Sequence, residues 1–598
     1  MSPSHFYGLW NYGLRAIHGC VQLAYRKKHM CCLILAVIAI SEIVALSEDR
    51  PQTFTNPLNL DYRFQTRQPS RREAADPVIV LYEDEYYLFA SATGGYWYSS
   101  DLIDWKLVPM DDRAFNAYAP AVMVYNDALY YGVDGSIYRS TDPKSGKWEN
   151  LGRVFNGGDP DLFVDDDNRV YLYSGVTYNG DITGVELDPN NQFRPIGQKF
   201  VCFSANATQH GWERRGNDNL GVMNGTTFEA GPWIEGSWMT KHDGTYYLQY
   251  AAPGTEYSTY ADGVYTSKSP SGPFSYAPYS PFSFKPTGFA VGAGHGATFK
   301  DKQGHYWHIA TMSISVKHDW ERRLGLFPVE FDSDGQMHAN MLFGDYPMLS
   351  PDERKDNGVN INVGWMLVSY GKRAQASSSL EGFEPANAFD EDIHTYWSAR
   401  SDKEGEFLTV NLGKSCRIDA VQVNFAEHEA TALGRSPELY HQYRLEWSND
   451  GNKWQMLVDR SANRKDVPHD YIQLAEPVTA QYVRITNVHV SGGGMFSVRD
   501  LRIFGSGQGN APAKAPSFEV HRDPSDARNA VIRWDALRDA EGYVVRYGIA
   551  EDKLYLNREI RGKREIYLHD LNVGVDYYFT VDAFNDSGRT LGTPQPLR

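Results

Sequence analysis

At 598 residues the chain is too long for one hydrophobic core, and at ~100–200 residues per domain it divides into three or four units. Its net charge of −17 argues against a nucleic-acid backbone as partner, because phosphate binding needs clustered Lys and Arg. Aromatic residues make up 14% of the chain and sit beside Gly, Asp and Asn in short apolar runs, a composition that suits β-structure and flat sugar-binding surfaces.

The first element is a targeting pattern. Arg26, Lys27 and Lys28 precede an apolar run from Cys31 to Leu46 that ends on Ala45-Leu46-Ser47, so residues 1–47 read as an export leader. The run is shorter than the ~20 apolar residues of a spanning helix and contains Glu42, which argues against a stable membrane span. Met30 is an alternative start. Without the leader only Cys202 and Cys416 remain, in different domains, so no disulfide framework is expected. Export without disulfides points to a bacterial envelope and to a periplasmic, cell-surface or secreted protein.

Internal repetition organises residues 48–352. The stretch from Asp76 to Ala90 is echoed from Ala119 to Gly132, from Asp159 to Tyr173, and again from Glu235 and His295. Each unit is a strand, a polar turn and a second strand rich in Tyr or aliphatics, and several continue into a third strand and an edge segment. Five units predict a five-bladed β-propeller whose first strands line a central channel, so that the starts of those strands converge at one mouth. Three starts carry acids: Asp76, Asp159 and Glu235. Glycoside hydrolysis needs one carboxylate to activate water and one carboxylic acid to protonate the departing oxygen. A third carboxylate can raise the acid's pKa and orient it, a role open to Asp159.

These residues resemble glycoside hydrolase family 43, the five-bladed propeller hydrolases. The resemblance is carried by Ala75-Asp76-Pro77, by Asp159-Pro160-Asp161 with Leu162 to Asp166, by Glu235-Gly236-Ser237-Trp238 with Tyr246-Tyr247-Leu248, by Gly294-His295-Gly296, and by Arg322 to Pro328. It implies inversion, with Asp76 as general base, Asp159 as pKa modulator and Glu235 as general acid, and it implies no required cofactor. Ser237 stands where Pro usually follows Glu-Gly, and Tyr118 where Trp is frequent before Ala-Pro; both bear on the sugar pocket. His295 is similar to the family's channel histidine, a substrate neighbour or the site of a structural calcium. Arg322 is similar to an arginine that reaches the pocket, while Arg323 beside it reads as a surface residue. Tyr118, Trp238 and Trp233 could stack on a sugar ring, although core packing explains Trp233 equally well. The acids Asp165-Asp166-Asp167 read as a solvated turn rather than a metal site.

Residues 352–358 are a polar linker. Beyond it Ala386 to Asp390, Thr395-Tyr396-Trp397, Leu408 to Gly413, Tyr443 to Gly451, Tyr482 to Ile485 and Val498 to Gly505 resemble the discoidin, or coagulation factor 5/8 C-terminal, family over residues 360–506. That implies a jelly-roll sandwich, which either binds a glycan or packs on the propeller as a spacer. Residues 505–516 are rich in Gly, Ser, Ala and Pro and read as a flexible linker. From residue 515 to 598, Val531 to Trp534, Gly542 to Tyr547 and Leu571 to Asn585 resemble a fibronectin type III sandwich, with Trp534 in the core and Tyr577 at the corner. A spacer role is expected for it. The whole reads as an all-β, exported glycosidase acting on arabinofuranosides, xylosides or galactosides of a polysaccharide. An endo-acting arabinanase or xylanase, and a sugar-binding protein without catalysis, are the alternatives.

Overall fold

The computed structural model describes residues 50–598 except 179, 224–225, 228–231 and 356–357. The leader, residues 1–47, lies outside the described residues, as do two residues of the linker at 352–358. Among the described residues the regular elements are strands and single turns of 3-10 helix.

Five antiparallel sheets follow one another along the chain, each running outward from an inner strand. The inner strands are Val78–Tyr82, Ala121–Tyr125, Asp161–Val164, Trp233–His242 and Val291–Lys300. Each packs on the next and the fifth returns to the first, which closes the propeller. Tight turns set the register of the blades. Glu83 and Asp84, Asn126 and Asp127, and Asp243 and Gly244 each supply a pair of left-handed residues, the geometry that matches the twist of two strands joined by two residues. The acidic run at Asp165 is a longer turn with one left-handed residue, Asn168: Asn168 N donates to Asp165 O at 2.9 Å, and the Asp165 carboxylate accepts from Lys241 and from Tyr246.

The ring is closed by the segment that precedes the first blade. Thr53–Phe54 pairs with Met348–Leu349, and the buried Asn56 side chain donates to Leu326 O and Gly344 O while accepting from Leu326 N. One amide thus completes the backbone bonds of the last blade where the circle meets itself.

The jelly-roll region is an eight-stranded sheet system built on the long strands Phe407–Phe425, His469–His489 and Ser497–Ser506, folded over Trp397, Tyr443 and Phe496. The last region is two sheets, one of three strands with Ala530–Trp534 at its centre and one of five around Gly542–Gly548 and Tyr578–Asn585. Trp534 is buried, and Tyr577 Oη accepts from Asn572 N at 3.1 Å. The Gly-rich stretch expected to be flexible is pinned instead: Gly505 and Ser506 end a strand, Gly507 N donates to Asp586 O at 2.7 Å, and Gly509 N to Ser587 Oγ at 3.0 Å. Its composition permits flexibility, but these bonds to the last sheet remove it.

Both modules pack on the propeller. Apolar residues of the third and fourth blades, among them Tyr173, Trp212 and Tyr265, form one continuous core with Val520, Tyr547 and Phe579 of the last region. The jelly roll is held mainly by ions. Arg72 is fully buried and bridges Glu427 at 2.6 Å and Asp466 at 2.6 Å, with a third bond to Tyr62 O. Arg72→Ala would strand two carboxylates, a loss on the order of 3–5 kcal/mol. Chemical denaturation should show that loss; a change under about 1 kcal/mol, the scale of an exposed pair, would mean the bridge is dispensable.

Candidate active site

A left-handed residue marks the mouth end of every blade: Asp76 (φ 50°), Ala119 (50°) and Asp159 (49°) two residues before their inner strands, and Gly236 (64°), next to Glu235, and His295 (44°) at register shifts inside theirs. For non-glycine residues this costs roughly 1–2 kcal/mol each, and the repeated kink turns the strand starts inward at the mouth. There a cavity of about 430 Å³ is lined by Asp76, Asp159, Glu235, His295, Arg322 and Tyr118, with Tyr178, Arg215, Trp233 and Trp320 also on its wall. Of the residues singled out in the sequence, only Trp238 is elsewhere.

Asp76 is held on all sides. Its N–H donates to Thr311 Oγ1 at 2.8 Å, Ser91 donates to its Oδ2, and Oδ1 lies 3.2 Å from His295 Nδ1 and 3.6 Å from Arg322 Nη1. Burial alone would raise its pKa, but His295, Arg322, the Ser91 hydroxyl and the Ala119 N–H outweigh it and hold the carboxyl below its ordinary 3.8. Asp76 is therefore ionised. Asp159 goes the other way. Burial, with Glu235 and Asp76 adding to it, pushes its pKa up to about 8 although His295 and the Gly236 N–H pull down. Its Oδ2 is buried without a hydrogen-bond partner and lies 3.9 Å from His295 Nδ1. A protonated Asp159 is a donor waiting for an acceptor.

Glu235 accepts from Trp233 Nε1 at 2.5 Å and from Tyr260 Oη. Tyr260 is fully buried, and burial together with Glu235 holds its pKa well above the ordinary 10.0. His295 is anchored through its backbone N–H to Asp262 Oδ1 at 2.8 Å. Burial disfavours the imidazolium, yet Asp76, Asp159, Glu235 and Asp262 together raise its pKa. Arg322 donates to Glu73 at 2.8 Å and to Thr255 Oγ1 at 3.3 Å, and is 4% exposed. Gly236 is required here: a Cβ on it would sit 2.7 Å from the His295 ring.

Asp159, Glu235 and His295 each offer an atom within 4.8 Å of the others. Two carboxylates beside an imidazole could supply part of a calcium shell, the rest coming from water, and the reaction steps need no metal.

Trp238 corrects the sequence reading. A register shift in the fourth inner strand falls between Glu235 and Trp238. Trp238 lies further down the channel beside Ile79, Val122 and Thr298, with Nε1 donating to Thr298 O at 2.9 Å. Arg323 is a second correction: it is 2% exposed, and its Nε donates to His469 of the jelly roll at 2.9 Å. Asp161 is buried and structural, accepting from Met239 N at 2.7 Å. Sequence reasoning missed Ser91, Glu73, Tyr260 and Trp320. Glu73 precedes the first repeat by three residues and Ser91 follows it by one, outside the repeated positions; Tyr260 and Trp320 carry no local signal.

Residues 69–337 match the family described as glycosyl hydrolases family 43, and residues 373–501 match the F5/8 type C domain. The chain is similar to an arabinoxylan arabinofuranohydrolase of Paenibacillus polymyxa, 31% identical over 26% of this chain and 23% of the relative. It is similar to a β-D-galactofuranosidase of Aspergillus niger, 26% identical over 39% of this chain and 72% of the relative. A non-reducing end α-L-arabinofuranosidase of Bacteroides ovatus is 25% identical over 52% of this chain and 57% of the relative. The first of these is thus matched over less than a quarter of its length.

The state of Asp159 has a consequence for stability. Its folded pKa of about 8 exceeds the ordinary 3.8, so the folded protein keeps a proton that the unfolded chain gives up. That stability is complete below about pH 4 and is lost as pH rises through about 8. Asp159→Asn is expected to be more stable than the parent at pH 8, with the gap closing toward pH 4. Denaturation midpoints at the two pH values test it, and a gap that does not change with pH would reject a protonated Asp159.

Proposed function

We propose that this chain, whose propeller belongs to glycosyl hydrolase family 43 and is followed by an F5/8 type C domain, is an exported inverting glycoside hydrolase. The observation that carries the reading is the convergence of Asp76, Asp159 and Glu235 with His295 and Arg322 in one cavity. Asp76 is the base. Its depressed pKa keeps it ionised, and His295 and Arg322 fix the carboxylate. A water poised on it attacks the anomeric carbon; a C–O bond forms to the water, the glycosidic C–O bond breaks, and the water's proton passes to Asp76. Glu235 gives its proton to the departing oxygen, with Trp233 and Tyr260 orienting the carboxyl.

Asp159 modulates this acid from close range. Because it holds its proton to about pH 8, its influence at neutrality is that of a buried donor beside Glu235 rather than a fixed negative charge. Above that pH a second negative charge appears in the cavity. The aromatic walls, Tyr118 and Trp320 on one side and Tyr178 and Trp233 on the other, suit the faces of sugar rings. The arabinofuranohydrolase, galactofuranosidase and non-reducing end arabinofuranosidase relatives support removal of a terminal arabinofuranosyl or galactofuranosyl unit.

Acid and base can be told apart by leaving group. Asp76→Asn is expected to lose about 10²–10⁴-fold on every substrate, whereas Glu235→Gln should lose as much on oligosaccharides and far less on nitrophenyl glycosides. A nitrophenol leaves without a proton. Equal losses on both substrates would remove Glu235 from the acid role, and proton NMR showing a retained first product would remove Asp76 from the base role. The pH profile should fall on the acid side below pH 3.8, as Asp76 takes up a proton, and on the alkaline side at about 8, as Asp159 loses one. An alkaline limb that stays in place in Asp159→Asn would exclude Asp159 as its source.

A further inference from the structure

Behind Tyr118 and Trp320, on the side away from the three acids, a second cavity of about 520 Å³ opens. Both rings belong to the walls of both cavities, so a chain of sugars leaving the first would run past them into the second. The lining of this second cavity carries three guanidinium groups, Arg67, Arg71 and Arg113, and the imidazole of His318, against one carboxylate, Asp134. In a chain with net charge −17 this is a local reversal of sign. Among the described residues neither Arg67 nor Arg113 has an ion-pair partner.

Arg71, though paired with Glu73, keeps N–H capacity unused. It is 7% exposed, yet its Nε has no hydrogen-bond partner. Nη1 reaches only Pro69 O at 3.3 Å, and Nη2 stands 3.6 Å from Glu73, whose other oxygen is taken by Arg322. A buried N–H left unmade is destabilising, and a planar fork of N–H groups fits the oxygens of a carboxylate or sulfate two at a time.

We propose that this second cavity is a subsite for an anionic group, the carboxylate of a uronic acid or a sulfate ester, on the part of the glycan adjoining the sugar held among Asp76, Asp159 and Glu235. The substrate is then an acidic glycan. The inference deepens the hydrolase reading and rests on it for the word substrate, but the binding site stands on its own geometry.

The test separates the two. The full chain carrying Glu235→Gln, which reads binding without turnover, is titrated by calorimetry with D-glucuronate, D-galacturonate, glucose 6-sulfate and galactose 6-sulfate, with glucose and galactose as neutral references and sodium sulfate as a free anion. One charged hydrogen-bonded contact corresponds to about tenfold or more in affinity. At least one acidic sugar should bind that much tighter than its neutral parent. Arg67→Gln with Arg113→Gln should reduce the preference about tenfold, and Arg71→Gln should do the same. Tighter binding by the uronates alone, or the sulfated sugars alone, identifies the source of the anion. Equal affinity for acidic and neutral sugars, no binding of any acidic sugar, or a preference untouched by the arginine variants overturns the proposal, as does sodium sulfate binding as tightly as the acidic sugars. Failure of the unmutated protein to hydrolyse any glycoside would count against the hydrolase reading and leave these outcomes as they are.

Discussion

Three carboxylates crowded into one cavity cannot all be ionised without cations to balance them, and much of the surrounding structure follows from that constraint. Here His295 and Arg322 face Asp76, and Asp159 keeps its hydrogen. Arg322 is itself buried and needs a second anion, which Glu73 supplies from a fully buried position. The ions then continue outward through chain neighbours. Successive residues of a strand face opposite ways, so that Arg322 points into the mouth while Glu321 meets Arg499 at 2.8 Å and Arg323 meets His469. Likewise Glu73 serves the mouth and Arg72 serves Glu427 and Asp466. Two short stretches, 72–73 and 321–323, hold both the active-site ions and the jelly roll.

The second constraint is backbone. A strand start with ordinary φ would continue its side chain along the channel wall. The left-handed residue near the mouth end of each blade bends the chain so that Asp76, Asp159, Glu235 and His295 meet in one cavity. Ala119 occupies that position in the second blade and offers no acid; its N–H instead donates to Ser91 Oγ at 2.7 Å, and Ser91 in turn holds Asp76. Strain of this sort persists where surrounding contacts over-determine it, and the closed ring of inner strands supplies those contacts.

This division explains what was legible in the sequence. Repetition exposes the blades, and a position equivalent in every blade exposes Asp76, Asp159, Glu235 and His295, since radial symmetry converts equal positions into one place. Residues that reach the mouth from outside that register leave no periodic mark. Tyr260 arrives just before the third strand of the fourth blade and Trp320 from a loop in the fifth. Trp238 misled because counting along a strand assumes an unbroken register, and the fourth inner strand shifts between Glu235 and Trp238. Arg323 misled because a charged residue at the end of a strand is normally solvated; here a neutral His469 covers it. Burial and the nearby Arg323 and Arg499 keep the His469 pKa well below 6.5, so its Nε2 lone pair is free to accept, with Nδ1 bonded to Asn424.

The last sandwich repeats that arrangement on the opposite side of the mouth. Arg214 donates to Asn529 at 2.7 Å, to Asp526 at 3.1 Å and to His569 O, all in the last region. Its chain neighbour Arg215 lies 4.2 Å over the ring of Tyr178, which lines the catalytic cavity with it. The segment before them is clamped by backbone: Gly211 N donates to Leu571 O at 3.0 Å and Val573 N to Gln209 O at 2.8 Å, and a side chain on Gly211 would meet His569 O at 2.6 Å. Asn572 closes the contact, donating to Pro278 O and Ser280 O and accepting from Tyr276 Oη. On each side of the mouth one arginine of a consecutive pair grips an appended module while the other faces the cavity, so the modules stiffen the two walls between which a sugar would lie.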